Sequence, residues 1–150
     1  MSKLQMSKLQ MSKLHMIKLS VGSESIATQA AWQAERLAQN GRLRHITRMW
    51  PRREAELLEG GSIFWVIKGM VQSCQRIIGF DEVIGEDGIR RCGIVLDPVL
   101  HHTSPQPRRP FQGWRYLQPE DAPEIGRPYK DGEETLPPEV QAELAALGVL

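Results

Sequence analysis

The stretch from Arg44 to Gly69, RHITRMWPRREAELLEGGSIFWVIKG, constrains the fold more than any other part of this chain. Its last part, Ser62–Lys68, is rich in β-branched and aromatic residues, which predicts a strand. Apolar side chains fall on both faces of that strand, because Ile63 and Trp65 alternate with Phe64. A strand that is apolar on both faces must be covered on both sides, so we expect it in the middle of a sheet.

The first part of the same stretch predicts a strand, a turn and a short helix. A residue before proline stays extended and proline suits the first turn of a helix, so Trp50-Pro51 ends a strand that begins at Arg44. The short helix covers residues 53–59, and a glycine pair then turns the chain back. Further predicted elements are a strand over 16–21, a helix over 23–40, a short closing strand over 113–117 and a last helix over 137–147.

A β-hairpin around Asp87-Gly88 is the clearest local signal, because this pair supplies the positive φ angles of a two-residue type I′ turn. Such a turn sets Val83 opposite Cys92. Five prolines lie between residues 98 and 119, and they forbid a helix or a long central strand there. We therefore expect that segment to be mostly loop.

Together these elements predict an α+β domain over residues 16–119, with a small mixed or barrel-like sheet and flanking helices. Residues 1–15 repeat a pentapeptide (MSKLQ, MSKLQ, MSKLH), and we expect a disordered extension produced by duplication of a start at Met16. An amphipathic membrane anchor is the alternative, although Leu and Met at every fifth residue leave no continuous apolar stripe on a helix. Residues 120–150 are predicted to form an acidic linker and a C-terminal helix.

The net charge of +1 hides an uneven distribution. Residues 42–119 carry twelve Lys or Arg against eight Asp or Glu, whereas residues 120–150 carry two against eight. Either the basic middle meets an anionic partner, or the acidic tail folds back and neutralises it. Two cysteines are too few for a disulfide framework, and no apolar run is long enough to cross a bilayer, so we expect a cytoplasmic protein without membrane contact.

Two segments combine arginine with aromatic residues: RLRHITRMWPRR and RRPFQGWRY. Guanidinium groups match phosphate oxygens and aromatic rings stack on unpaired bases, so the two segments predict a nucleic-acid groove if they meet in space. The alternative is that the rings belong to the core and that the arginines pair with nearby glutamates such as Glu54, Glu56 and Glu59. The predicted binding residues are Arg48, Arg52, Arg53 and Lys68 for phosphate, Trp50 and Trp114 for stacking, and Arg109 and Arg115 in the same groove.

Metal and hydrolase sites are weaker alternatives. Residues with suitable donor atoms lack any CxxC or HExxH spacing, so we expect no metal and no cofactor. The hairpin register, when continued, puts Cys74 near His101 and far from Cys92. No GxSxG elbow is present. The donor residues considered are His45, Cys74, Cys92, Asp97, His101 and His102.

Seven segments in order carry a resemblance to a known family: MIKLSVG, AAWQAERLA, RHITRMWPRR, GGSIFWVIKG, GEDGIRRCGIVLDP, QPRRPFQGWRYLQPEDAP and LPPEVQAELAALGVL. Together they resemble a bacterial family catalogued only as a domain of unknown function (fourteen eighty-nine). The resemblance covers nearly everything except residues 1–15. It implies no particular reaction.

A fainter resemblance is to the PUA-like superfamily, including its ASCH group, which are small β-barrels that recognise RNA or modified bases. The similar features are a short helix ending at Gly60, a following strand and then a hairpin. The ASCH pattern Gly-x-Lys-x-x-Glu-x-Arg would place Lys, Glu and Arg where this chain has Ser62, Trp65 and Ile67. The resemblance therefore implies only the architecture and a basic cleft.

The leading functional prediction is binding of RNA or a modified nucleobase through a basic, aromatic-lined cleft. A first rival is a small enzyme acting on a nucleotide or a phosphorylated metabolite, with His45 or His101 as base. A deep pocket joining a histidine to arginines favours the enzyme, and a shallow groove favours binding. A second rival is a protein-interaction module that uses the C-terminal helix and Trp32, which falls opposite the apolar stripe of the first helix. Trp32 packing on another element of the same protein is the alternative to such a contact.

Overall fold

The structure is a computed structural model, and it describes residues 13–133 together with residues 140, 143, 146 and 147. The fold is α+β, as predicted, and residues 13–133 form two α-helices and a mixed sheet of eight strands. Among the described helices none is both long and apolar enough to span a bilayer. In chain order the elements are β1 (His15–Leu19), α1 (Ile26–Asn40), β2 (Leu43–Thr47), α2 (Glu54–Leu57), β3 (Ser62–Ile67), β4 (Met70–Ile84), β5 (Arg90–Leu96), β6 (His101–Pro107), β7 (Trp114–Leu117), a 3-10 turn (Pro119–Asp121) and β8 (Ile125–Pro128).

The sheet is organised around β3 and the long strand β4. The strand order is β2-β5-β4-β3-β1-β7, and among the strands of residues 13–133 only β1 and β3 pair in parallel. The first half of β4 pairs with β3 and with β6, whereas its second half pairs with β5. β8 pairs with β6. All six residues of β3 are buried, which confirms the prediction of a central strand.

Each face of the sheet carries its own apolar cluster. On the face covered by α1, side chains from six strands pack together, and Ile26 of α1 is buried among them. On the opposite face, Phe64 and Val66 of β3 pack with Cys74 of β4. The α1 helix begins after Ser25, whose hydroxyl accepts a hydrogen bond from the Thr28 N–H. The first cluster consists of Leu14, Met16, Ile26, Leu43, Leu57, Ile63, Trp65, Ile77, Cys92, Ile94, Leu96, Leu100 and Trp114.

The sheet curls but does not close into the barrel that was one expected form. Within the described residues, β2 and β7 stand at the two ends of the strand order and share no ladder. Two hydrogen bonds link β7 to the segment that follows β2. The indole N–H of Trp114 donates to the carbonyl of Met49 at 2.9 Å, and the backbone N–H of Arg53 donates to the hydroxyl of Tyr116 at 3.1 Å.

Three parts of the predicted fold need correction. The proline-bearing segment contains the strand β6, because Pro105 and Pro107 lie in a ladder whose register is irregular and leaves some N–H groups unused. The linker expected over residues 120–136 contains β8, so the sheet continues past the boundary expected at residue 119. The core also begins at Leu14, which is 2% exposed, rather than at Met16.

The predicted hairpin of β4 and β5 is present, but its register differs by one residue. Glu82, not Val83, lies opposite Cys92. The cause is the turn, in which the Gly88 N–H donates to the Gly85 carbonyl and Gly88 alone has a positive φ of 74°. Ile84 therefore pairs with Arg90 across a five-residue loop rather than a two-residue turn. Of the extension predicted over residues 1–15, residues 1–12 lie outside the described residues, and so does most of the predicted C-terminal helix.

Candidate nucleic-acid interface

The two segments rich in arginine and aromatic residues are neighbours in the structure. The hydrogen bonds from Trp114 to Met49 and from Arg53 to Tyr116 join them directly. The Arg53 guanidinium also lies 5.6 Å from the centre of the Tyr116 ring. The condition for a shared groove, that the two segments meet, is therefore fulfilled.

The contact between the segments occupies several of the predicted binding groups. Trp114 is only 7% exposed, so its ring belongs to the core and offers no face to a base. Trp50 is partly buried, its indole N–H donates to Glu54 at 2.7 Å, and Arg90 covers its ring at 4.3 Å. Arg53 pairs with Glu56 at 2.5 Å. Trp114, Trp50 and Arg53 therefore agree with the alternative, in which the rings belong to the core and the arginines pair with nearby glutamates. Arg48 and Arg52, by contrast, are exposed.

A second group of cations, here called the basic strip, lies at one end of the sheet and comprises Lys68, Arg108, Arg109 and Arg115. Arg108, Arg109 and Arg115 line one open depression of about 600 Å³, together with Phe111. Lys68 is adjacent, because the backbone N–H of Arg108 donates to the carbonyl of Gly69 at 2.8 Å.

The charges of the basic strip are not neutralised by carboxylates, although the Nε–H of the half-buried Arg108 donates to the side-chain oxygen of Gln106 at 3.3 Å. Within the described part of the chain, no ion pair involves any of its four cations. Glu120 and Asp121 border the same depression but are not paired with these arginines. The Arg115 guanidinium stacks on Phe111 at 4.7 Å, which fixes its plane and leaves its N–H edge free to donate. Arg108 and Phe111 were not among the predicted residues, although both stand in the segment RRPFQGWRY.

A separate cavity, here called the basic cleft, lies between α1, β2 and the end of β1. Its volume is about 430 Å³, and its charged and aromatic lining consists of Lys18, Trp32, Arg36, Arg44, His45 and Trp65. No aspartate or glutamate is among the residues that line it. Arg44 lies 3.7 Å from Asp81, whose carboxylate pairs more closely with Arg42 at 2.5 Å. Lys18 and Arg36 have no ion-pair partner among the residues that the structure describes.

Buried amides hold the floor of the basic cleft in place. Gln75 is fully buried, and its side-chain oxygen accepts hydrogen bonds from Gln33 at 2.7 Å and from the Trp65 indole at 2.9 Å. Its amide nitrogen donates back to Gln33 and to the carbonyl of Asp97. Because the donors and acceptors of Gln75 are used, α1 and β3 are fixed relative to each other beneath the cleft.

Burial changes the acid–base properties of two groups in the cleft. Desolvation, helped by the charges of Lys18 and Arg36, lowers the pKa of His45 to about 4, so its imidazole is neutral near pH 7. Desolvation also lowers the pKa of Lys18. The Nε2 atom of His45 is buried and has no hydrogen-bond partner. A neutral imidazole with a free nitrogen suits recognition of a polar ligand group better than proton abstraction near neutral pH.

The remaining histidines and cysteines carry structural contacts. Cys74 pairs across strands with His101, as the sequence predicted. Burial raises the pKa of the Cys74 thiol to about 12, so it is a poor nucleophile. His101 approaches the Gly126 carbonyl, and His102 contacts Glu133. Across residues 13–133 no three His, Cys, Asp or Glu side chains are placed to share a metal ion.

The fold and these sites define an α+β protein with an open mixed sheet and two basic depressions. The family model described as "Protein of unknown function (DUF1489)" matches residues 16–150, and the chain belongs to that family. No match was found among curated proteins or among solved structures.

Proposed function

We propose that this protein binds RNA through the basic strip. The observation that carries the proposal is the gathering of Arg108, Arg109 and Arg115 around one depression, with Lys68 next to it in sequence and structure, and without ion pairs among the described residues. Arginine and lysine bind phosphate, and Phe111 beside them offers an apolar ring surface for a base. The fainter resemblance to PUA-like domains supports the same class of ligand, including a modified nucleobase, and a cytoplasmic location is part of the proposal.

Salt-dependent binding tests this function. Labelled single-stranded RNA is titrated with the wild type and with the double variant Arg109→Ala/Arg115→Ala at two or more salt concentrations, followed by fluorescence anisotropy. The slope of log K against log salt is negative, and each lost phosphate contact reduces its magnitude by about 0.7 for a single strand. We therefore expect the double variant to reduce that magnitude by about 1.4.

Arg127→Ala is the matched control, because Arg127 is an exposed arginine on β8 outside the basic strip. It should leave the slope unchanged. Wild-type protein that binds no RNA, or binds it without salt dependence, would refute the proposal. DNA of the same sequence bound equally well would widen the proposed ligand to single strands in general.

The enzyme alternative depends on the basic cleft, which joins His45 to Arg36 and Arg44. This arrangement favours a small anionic ligand. The pKa of His45, near 4, argues against its use as a general base near neutral pH. We therefore propose binding rather than catalysis. For the interaction-module alternative, Trp32 is 57% exposed, whereas most of the C-terminal helix lies outside the described residues.

A further inference from the structure

We infer that the basic cleft is a second binding site, which accepts one nucleoside monophosphate unit with its phosphate on Lys18 and Arg36 and its base beside Trp32. This inference goes beyond the proposed RNA surface, because the cleft shares no lining residue with the depression of the basic strip.

The charge of the cleft selects an anion. Lys18, Arg36 and Arg44 line it, and no carboxylate residue does. Holding cations together in a partly desolvated cavity is unfavourable unless an anion joins them. The lowered pKa of Lys18 has the same origin, since burial disfavours its charged form. A phosphate group supplies negative charge and several acceptor oxygens, which matches guanidinium and ammonium donors.

The size and walls of the cleft select more than a bare phosphate. A volume of about 430 Å³ lies within the range of small-molecule sites and exceeds what an inorganic ion fills. Trp32 borders the cavity, with Arg36 stacked over its ring at 4.5 Å. Because more than half of its surface is exposed, the indole offers ring surface on which a flat base can stack.

His45 adds hydrogen-bonding capacity that the protein leaves unused. Its Nε2 atom is buried and has no hydrogen-bond partner among the described residues, which is costly, and a small rotation of the ring would bring this atom to a ligand in the cleft. The imidazole is neutral, so it suits a polar group on a base edge rather than a further phosphate contact. The edge of the ring faces Trp65, with 5.3 Å between ring centres, and Trp65 is held by Gln75. The cleft is therefore fixed before a ligand arrives, which reduces the entropy cost of binding.

A ligand comparison tests the inference. The wild type is titrated with the four common nucleoside monophosphates, the matching nucleosides and inorganic phosphate, and binding is followed by calorimetry and by tryptophan fluorescence. We expect saturable binding of at least one nucleoside monophosphate, about tenfold or more tighter than its nucleoside or phosphate alone. No saturable binding of any monophosphate, or phosphate binding as tightly as the nucleotide, would overturn the inference.

Variants locate the site. Arg36→Met keeps the aliphatic stem but removes the charge, and Trp32→Ala removes the ring; each should weaken the monophosphate about tenfold. Arg127→Met is the matched control and should have no effect. Circular dichroism checks folding, and Lys18→Met replaces Arg36→Met if the latter fails to fold. Equal affinity of Arg36→Met, or of its replacement, and the control would overturn the assignment.

The same experiment separates this inference from the proposed RNA function. The variant Arg109→Ala/Arg115→Ala should lose RNA affinity while it keeps the wild-type affinity for the monophosphate. Loss of monophosphate binding in this variant would contradict an independent cleft. Failure of RNA binding with monophosphate binding intact would refute only the basic strip.

Discussion

A buried histidine, His15, and a half-buried histidine, His45, make the stability of the folded state depend on pH. His15 is 6% exposed, and its Nδ1 atom accepts a hydrogen bond from the Ser62 N–H at 3.0 Å. Desolvation, with a smaller effect from the charge of Lys13, lowers its pKa to about 4, the same value as for His45. Both imidazoles are held in the neutral form, because a protonated ring would lose its hydration in the core.

Acid is therefore expected to destabilise the protein through these two residues. In the unfolded chain each histidine takes up a proton near pH 6.5, whereas in the folded chain it does so only near pH 4. The contribution of each histidine to the free energy of unfolding is therefore complete above pH 6.5, the pKa in the unfolded chain, and is lost as the pH falls from there toward about 4. At about pH 5 the loss reaches at most about 2 kcal/mol for each histidine.

Urea unfolding at pH 7 and at about pH 5 measures this effect. The variant His15→Gln/His45→Gln cannot take up these protons, so its free energy of unfolding should fall less between the two pH values than that of the wild type. Carboxylates titrate in both proteins, so the comparison isolates the histidines. Equal losses in the two proteins would show that the histidines do not control the acid response.

At the residue scale, the sequence correctly indicated that the two arginine-rich segments could be neighbours, but it did not indicate which of their side chains are buried or paired. Trp114 and Trp50 have the residue type that base stacking needs, but only the fold shows that Trp114 is buried and that Arg90 covers Trp50. The basic cleft was not predicted as a site, although Arg44 and His45 stand in the segment RLRHITRMWPRR and Trp32 was considered as a contact residue. Its cations Lys18, Arg36 and Arg44 come from β1, α1 and β2, and no single segment of the sequence contains all three.

At the scale of elements, the hairpin between β3 and β4 combines a strained turn with Lys68, a residue of the proposed RNA surface. Ile67 pairs with Met70, so Lys68 and Gly69 form a two-residue turn with φ angles of 50° and 78°. The left-handed region is unfavourable for lysine but natural for asparagine, and Asn-Gly is the preferred pair for this turn. Asparagine at position 68 would therefore give a more stable fold than lysine does.

The substitution Lys68→Asn is expected to have opposite effects on stability and on binding. It should raise the free energy of unfolding by about 0.5–1 kcal/mol, because asparagine tolerates the left-handed conformation. It should also reduce the magnitude of the salt slope of RNA binding by about 0.7, since one proposed phosphate contact is lost.

Thermal melting and fluorescence anisotropy measure these two effects. Lys68→Arg is the control: it keeps both the charge and the strain, so neither quantity should change. If Lys68→Asn gained stability but kept the full salt slope, Lys68 would not belong to the RNA surface.

The order of the elements was predictable because each signal is local. The serine that caps α1, the glycine that ends it and the proline that ends the segment after β2 act over a few residues. The register of β4 and β5 was wrong by one residue, because Asp87-Gly88 suits two turn types that differ in loop length. Strands β6 and β8 were missed because their prolines and short length hide them, and they are stabilised by pairing that is distant in sequence.

At the scale of the whole molecule, the two ends of the sheet are joined by side chains instead of a ladder. The Tyr116 hydroxyl accepts from the Arg53 N–H, and Trp114 donates to the Met49 carbonyl. These bonds link β7 to the segment that follows β2 beside the first apolar cluster, which contains Trp114, while the sheet itself stays open. They also hold the segment from Met49 to Arg53 against β7.

Removing one of these bonds should weaken the link between the segment from Met49 to Arg53 and β7 without unfolding the sheet. Tyr116→Phe is expected to lower the free energy of unfolding by about 1 kcal/mol and to speed hydrogen exchange at the Arg53 amide. Amides of β3, which is buried throughout, should keep their protection. Tyr129→Phe removes a tyrosine hydroxyl elsewhere and serves as the control. An unchanged exchange rate at Arg53 would show that the bond does not hold this segment.

The position of β1 has a consequence for biosynthesis. This strand opens the described chain, yet it lies between β3 and β7, and β7 is the seventh of the eight strands. A polypeptide leaves the ribosome from its N-terminus, so β1 emerges long before its second neighbour exists. Until then the edge of β1 that later pairs with β7 has no partner strand, and with the apolar residues Met16 and Ile17 this edge can pair with other chains. Nascent or truncated chains that stop short of Trp114 should therefore be the species that depend most on chaperones.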